Sequence, residues 1–211
     1  MTEAAQPLAA SSASRKDVSN KREPRSGRRF ELLERVTDAI VESGIEGVSV
    51  RDLAARAGVS IGTIQYYFPT KTALLLSAWN HLHGGVTHRF AGVGATGLTA
   101  AEELRYLTNL LLPPTSGDRL SHLWLALVAR AGHDPEAAVL HREQWQRMES
   151  TLESALRRAN PARELESRAA AAELLALLDG LAISVLIEPG RISPDRAQRI
   201  SRRWLAEWLS E

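Results

Sequence analysis

Large apolar residues return at helical spacing from Phe30 onward, through Leu33, Val36 and Ile40, and Gly44 stands where a helix C-cap belongs. The spacing predicts a first helix from Arg28. Ser49 and Asp52 cap a short second helix through Ala57, Gly58 supplies a tight turn, and Ser60 caps a third helix running to about Tyr67. Pro69 ends it. Thr70 then caps a long fourth helix through Leu75, Ala78, Trp79 and Leu82, which fades near the glycine-rich stretch Gly92 to Gly97.

Thr99 and Glu102 have the spacing of a capping box, for a helix that stops at Pro113 and Pro114. Further helices are predicted over 118–132, 135–159 behind the cap Asp134, 164–187, and 194–210 behind the cap Ser193. No segment sustains period-two alternation and no internal repeat emerges. The fold class expected is therefore all-α.

Residues 1–27 hold almost no large apolar group, too little to order a core, and read as a disordered tail. Seven basic residues against two acids crowd the stretch from Ala10 to Phe30, whereas the whole chain carries a formal charge of only +1. Such an arm suits contact with nucleic acid, and a solvated tail fits the same composition equally well.

Composition narrows the field. The 211 residues are 44% hydrophobic, 24% charged and 5% aromatic, rich in helix formers and without cysteine, so disulfides and thiolate metal sites are excluded. The N-terminus lacks the apolar core of a signal peptide, and a cytoplasmic location is expected. Ala169 to Ile187 is the most apolar run, yet Glu173 and Asp179 interrupt it, which favours a buried helix over a membrane span.

Helices two and three carry the constraints of a helix-turn-helix. Ala54 is small where two helices would cross, Gly58 can adopt φ > 0 in the turn, and Leu53, Ala57, Val59 and Ile64 supply the inward apolar positions. With Ile64 and Phe68 turned inward, the remaining surface of the third helix is chemically unusual for a core element. It presents Ile61, Gly62, Thr63, Gln65, Tyr66 and Tyr67. Gln65 can bond a base edge, Thr63 and Tyr67 offer hydroxyls to phosphate, and Ile61 offers an apolar surface to a thymine methyl group. Lys71 opens the fourth helix, where a cation opposes the macrodipole unless an anion binds beside it. A duplex phosphate would supply that anion.

The segment SVRDLAARAGVSIGTIQYYFPTKTALLLSAW resembles the DNA-binding region of TetR-type (TetR/AcrR family) transcriptional regulators, over residues 28–82. The resemblance implies an N-terminal three-helix DNA-binding domain over 28–73 and a C-terminal helical ligand-binding and dimerisation domain over 74–211. It implies a homodimeric repressor on a palindromic double-stranded DNA operator, released by a small-molecule effector of unidentified structure, with no cofactor and no membrane. DNA contacts are expected from Arg51, Ser60, Ile61, Thr63, Gln65, Tyr66, Tyr67 and Lys71. Gln65 stands where the family often has tyrosine, a variant similar to that of its choline-responsive regulators and confined to this helix.

Trp79, Phe90, Tyr106, Trp124 and Trp145 are spread over the helices that would enclose an effector, expected to be largely apolar. Leu177, Leu181 and Val185 on the near-uniformly apolar eighth helix, with Ile200, Trp204 and Trp208 on the last, form the expected dimer interface. Metal binding is not expected, because His81 and His83 fall on different helix faces and, with His88, have no carboxylate at ligand spacing. Motifs of hydrolases, phosphate-binding loops and zinc proteases are missing, and the chain is not expected to be an enzyme.

Overall fold

The computed structural model describes residues 25–93 and 97–210, with side chains for 30–83 and 97–210. Among these, nine α-helices and one 3-10 turn account for the regular structure, and the fold is all-α. The helices are α1 (Arg25–Gly47), α2 (Val50–Ala57), α3 (Ile61–Tyr67), α4 (Lys71–Val93), α5 (Ala100–Leu111), α6 (Arg119–Ala131), α7 (Pro135–Ala159), α8 (Ser167–Ile187) and α9 (Pro194–Leu209).

Local chemistry sets most boundaries. The Ser49 hydroxyl accepts from the Asp52 N–H, Ser60 from Thr63, Asp118 from Ser121 and Ser193 from Arg196, while Thr99 and Glu102 close a reciprocal capping box. Gly58 takes φ 63° and closes α2 by donating to the carbonyls of Ala54 and Ala55. Gly44, at φ 67°, breaks α1 at the expected cap, and one further turn follows it.

Two boundaries differ from expectation. α1 begins at Arg25, so Arg25 to Gly27 belong to its first turn; the rest of the basic arm, residues 1–24, lies outside the described residues. The helix expected from 164 starts instead at Ser167, preceded by the 3-10 turn Pro161–Glu166. Pro161 can open either helix type, and Arg163, at φ −107°, interrupts the α geometry.

Two apolar cores run through the molecule. The first joins α1 to α4, α6 and the helix-turn-helix: Ala54 is buried at the α2–α3 crossing, and Leu53, Ile64 and Phe68 lock those helices onto Leu33, Val36 and Ile40. The second gathers α5, α7, α8 and α9 around Leu107, Leu152, Leu174 and Leu178. α8 is long and apolar enough to cross a membrane, but half of that stretch is buried against the molecule's own helices.

Charged groups pin the helices of the first core to one another and to the start of α7. Glu34 on α1 meets His81 Nε2 of α4 at 2.6 Å and accepts from Arg119 of α6 at 3.0 Å, which hold its carboxyl below the usual carboxylate range. Arg119 also reaches Asp38 at 2.8 Å. Thr72, buried in the first turn of α4, donates its hydroxyl to Asp134, the residue that caps α7, and Arg130 at the end of α6 donates to the same carboxylate.

Candidate nucleic-acid interface and ligand cavity

α3 packs on α2 and buries Ile64, with its cap residue Phe68, in the core shared with α1, and leaves much of its remaining surface to solvent. Gln65 is exposed, Tyr66 is 81% exposed, and Arg51 and Ile61 are exposed beside them. Tyr67 is half-buried on the core, with its ring edge-on to Tyr66. Ser60 and Thr63 bond one another at 2.9 Å while Ser60 caps the helix, so part of their hydrogen-bonding capacity is spent locally. An unpartnered glutamine amide, a hydroxyl-bearing ring and an arginine on one convex face form a chemistry able to read and grip a duplex.

Lys71 already has an anionic partner. Its ammonium donates to both the carboxylate and the backbone carbonyl of Glu46, each at 3.0 Å, at the C-terminal end of α1. Glu46 also accepts from Arg130 at 3.2 Å, and the two cations, Lys71 first, hold its carboxyl below the ordinary range. The charge that opens α4 is thus offset within the chain. The pair is solvent-exposed, and exchange of Glu46 for a phosphate costs little.

The second feature is a cavity of about 600 Å³, open on one side and lined by α4, α5, α6, α7 and α8. Trp79, Trp124 and Trp145 line it, as expected from sequence, together with Asn80, His83, Gln144, Met148 and Asp179. Tyr106 does not: it lies on the outer face of α5, 37% exposed, because Leu104, Leu107 and Thr108 take that helix's inward positions. Phe90 and His88 fall in the turns of α4 whose side chains lie outside those described.

Asp179 decides the character of this cavity. It sits in the apolar run of α8, accepts a hydrogen bond from the Trp145 indole at 2.7 Å, and shows no cationic partner among the described residues. Burial pushes its carboxyl up to about 6, with the Trp145 N–H pulling the other way. Burial also lowers the pKa of His83, which lines the cavity, and of His141, which stacks on Trp145. The indole N–H groups of Trp79 and Trp124 and the Gln144 side-chain oxygen are buried without partners among the described residues. A largely apolar occupant, the expectation from sequence, would leave the Asp179 carboxylate without a counter-charge. In the sequence Asp179 stands out only as an interruption of an apolar run. That interruption was the available signal.

The residues expected at the dimer face divide into buried and partly exposed ones. Leu181, Val185 and Trp208 are buried inside their own chain, and Leu177, Ile200 and Trp204 pack partly against the same core. The Trp208 indole donates to the Leu156 carbonyl at 3.4 Å, stacks on Trp204 and carries the Arg163 guanidinium 4.3 Å above its ring. A stripe of two tryptophans therefore closes the monomer. The outward face of α8 includes Ala169, Ala172, Ala176 and Gly180, at three- and four-residue steps, and Ile187 two turns further on, all exposed.

Comparison with known proteins fixes the family. Residues 32–78 match the bacterial regulatory proteins of the tetR family, and residues 100–210 match the BetI-type transcriptional repressor C-terminal domain. The chain belongs to the TetR family of bacterial transcriptional regulators. It is 30% identical over 180 residues to the HTH-type transcriptional regulator PksA of Bacillus subtilis, covering 82% of this chain and 85% of that one. It is 27% identical over 183 residues to the BetI regulator of Burkholderia lata, covering 84% and 92%. A transcriptional regulator from Saccharomonospora viridis, solved in complex with choline, superposes with a TM-score of 0.78 at 26% identity, over 87% of this chain and 97% of that one. As a regulator of transcription, the protein is not an enzyme.

The raised carboxyl has a consequence for stability. Its value in the folded state exceeds that of an unfolded aspartate, ~3.9, so the ionised form costs stability above pH ~6 and the cost fades as pH falls toward ~4. Asp179→Asn should stabilise the protein by on the order of 2 kcal/mol at pH 8 and leave it unchanged at pH 4, measured by urea unfolding. Equal effects at the two pH values would show that Asp179 is not a buried, unpaired carboxylate.

Proposed function

We propose that this TetR-family regulator is a repressor that binds a palindromic operator as a homodimer and is released by a small cationic effector. The observation that carries this reading is the continuity of α4. Lys71 opens the helix beside the reading surface of α3, and Trp79 and His83 enter the cavity wall two and three turns later, ~12 and ~18 Å along one rigid rod. An occupant that displaces those later turns re-aims the start of the helix.

The division into a DNA-binding part over 28–73 and an effector and dimerisation part over 74–211 falls inside the first turn of α4, so that helix belongs to both. Arg51, Gln65, Tyr66 and Ile61 read or flank the bases, while Ser60, Thr63, Tyr67 and Lys71 grip phosphates. The cavity argues for the charge of the effector: tryptophan faces attract a cation, most strongly where it is desolvated, and Asp179 supplies the counter-charge. The choline-bound relative agrees with an ammonium ligand. No membrane role is assigned to α8, and the protein acts where the DNA is, in the cytoplasm.

A twofold assembly is needed to place two α3 helices in successive major grooves. The exposed small-residue face of α8 suits a second copy of the chain, since Ala172, Ala176 and Gly180 let the backbones of two helices come close. Leu165, fully exposed in the 3-10 turn next to it, extends the apolar area.

Gln65→Ala should lose ~1–3 kcal/mol on the selected operator and almost nothing on random duplex, measured by fluorescence anisotropy. Lys71→Ala should weaken both and lower the log–log salt slope by ~0.9; no change on either DNA would leave Lys71 to Glu46 alone. Ala176→Arg should give monomers in sedimentation with folded helicity retained, and a wild-type monomer at micromolar concentration would overturn the assembly. Choline followed by tryptophan fluorescence should bind more weakly when operator is saturating, by the reciprocal of its effect on DNA affinity, ~5–150-fold. Unchanged affinity would remove it as inducer.

A further inference from the structure

The size and the zoning of the cavity say more about the ligand than its charge does. Its volume of about 600 Å³ falls in the ~300–1,000 Å³ range of pockets that take drug-sized molecules, and a compact ammonium alcohol would leave most of it unfilled. The lining on α7 runs from Leu140 to Thr151, ~16 Å along the helix axis. The cavity is elongated.

Its two ends differ. Trp79, Trp124, Trp145 and Asp179 line its inner part together with Leu140 and Gln144, and there Trp79 and Trp124 are only 4% and 7% exposed. One and two turns beyond Trp145 come Met148 and Thr151, faced by Leu110 and Leu111 from the end of α5. These leucines and Met148 are half-buried, while Arg147 and Thr151 are exposed, so this apolar passage leads outward. Arg147 pairs with Glu143 at 3.2 Å, which offsets the charge at the mouth. An anionic head would be repelled by Asp179 at the inner end, and a neutral chain would leave that carboxylate unpaired.

We propose that the effector is an amphiphilic cation: an ammonium head held by Asp179 and the three tryptophans, with one flexible apolar chain lying along Met148, Leu110 and Leu111 toward solvent. This rests on the reading of the cavity as the effector site. Met148 suits the task, because an unbranched thioether adapts to a chain of variable shape. A chain of this kind removes from water apolar surface that Leu110, Leu111 and Met148 otherwise expose to the cavity.

Calorimetric titration of the full-length protein with choline and with hexyl-, octyl- and decyltrimethylammonium, below their micelle concentrations, tests the idea. Affinity should rise ~fourfold per methylene, equivalent to ~0.8 kcal/mol, until the passage is filled. Asp179→Asn should weaken every member by a similar factor and preserve the slope. Met148→Trp, or Leu111→Phe if the first variant fails to fold, should remove the chain-length dependence while short cations still bind. Binding of choline with no gain from longer chains overturns the amphiphile and leaves the cationic-effector reading standing. An equal gain for decanoate overturns it too, because the head would then not be read as a cation. Failure of every cation to bind overturns the assignment of the cavity itself.

Discussion

The carboxylate of Asp134 ties together the parts that have to move as one. One oxygen accepts the backbone N–H groups of Glu136 and Ala137 and starts α7; the other accepts the buried Thr72 hydroxyl at the start of α4 and Arg130 at the end of α6. Thr72 first, then the backbone donors and Arg130, hold its carboxyl below the usual range. All three helices that meet at this group go on to line the cavity, and one of them begins with Lys71. Through Arg130 the same set reaches Glu46, and through Glu46 it reaches Lys71. A change in the spacing of α4, α6 and α7 is therefore felt first where the helix-turn-helix is mounted.

The two polar centres differ in how they are satisfied, and the difference separates scaffold from site. Asp134 and Glu34 are surrounded by donors and have lowered carboxyls, as expected of groups that hold helices in register. Asp179 has one indole donor and a raised carboxyl, so its ionised form costs stability. Folding alone does not account for such a residue in an otherwise apolar helix. A cationic effector of the kind proposed would offset that buried charge.

Much of the reading head was legible because its constraints are local. The spacing of Ala54, Gly58 and Ile64, the caps Ser49 and Ser60 and the exposed Gln65 follow from adjacent residues and helical geometry. The cavity was legible only in part: Trp79, Trp124 and Trp145 line it, but Tyr106 on an equally amphipathic helix turns outward. The aromatic type was visible in the sequence, and the side of α5 that faces α7 was not.

Sequence by itself determined the helices, most of their ends, the helix-turn-helix and the surface that α3 presents, because hydrogen-bonded caps and three- to four-residue periodicity act over a turn or two. Tertiary structure decided which apolar residues were spent inside the chain. A stripe such as Ile200, Trp204 and Trp208 is equally suited to a partner subunit or to α5, α7 and α8 of its own, and only packing buried Trp208 in its own chain while Ile200 and Trp204 kept part of their surface open. The same packing left the small residues of α8 outside, brought Asp179 against Trp145 across 34 positions of sequence, and gave Lys71 a partner 25 positions away. Those pairings depend on where whole helices sit, and no local pattern of residues encodes that distance.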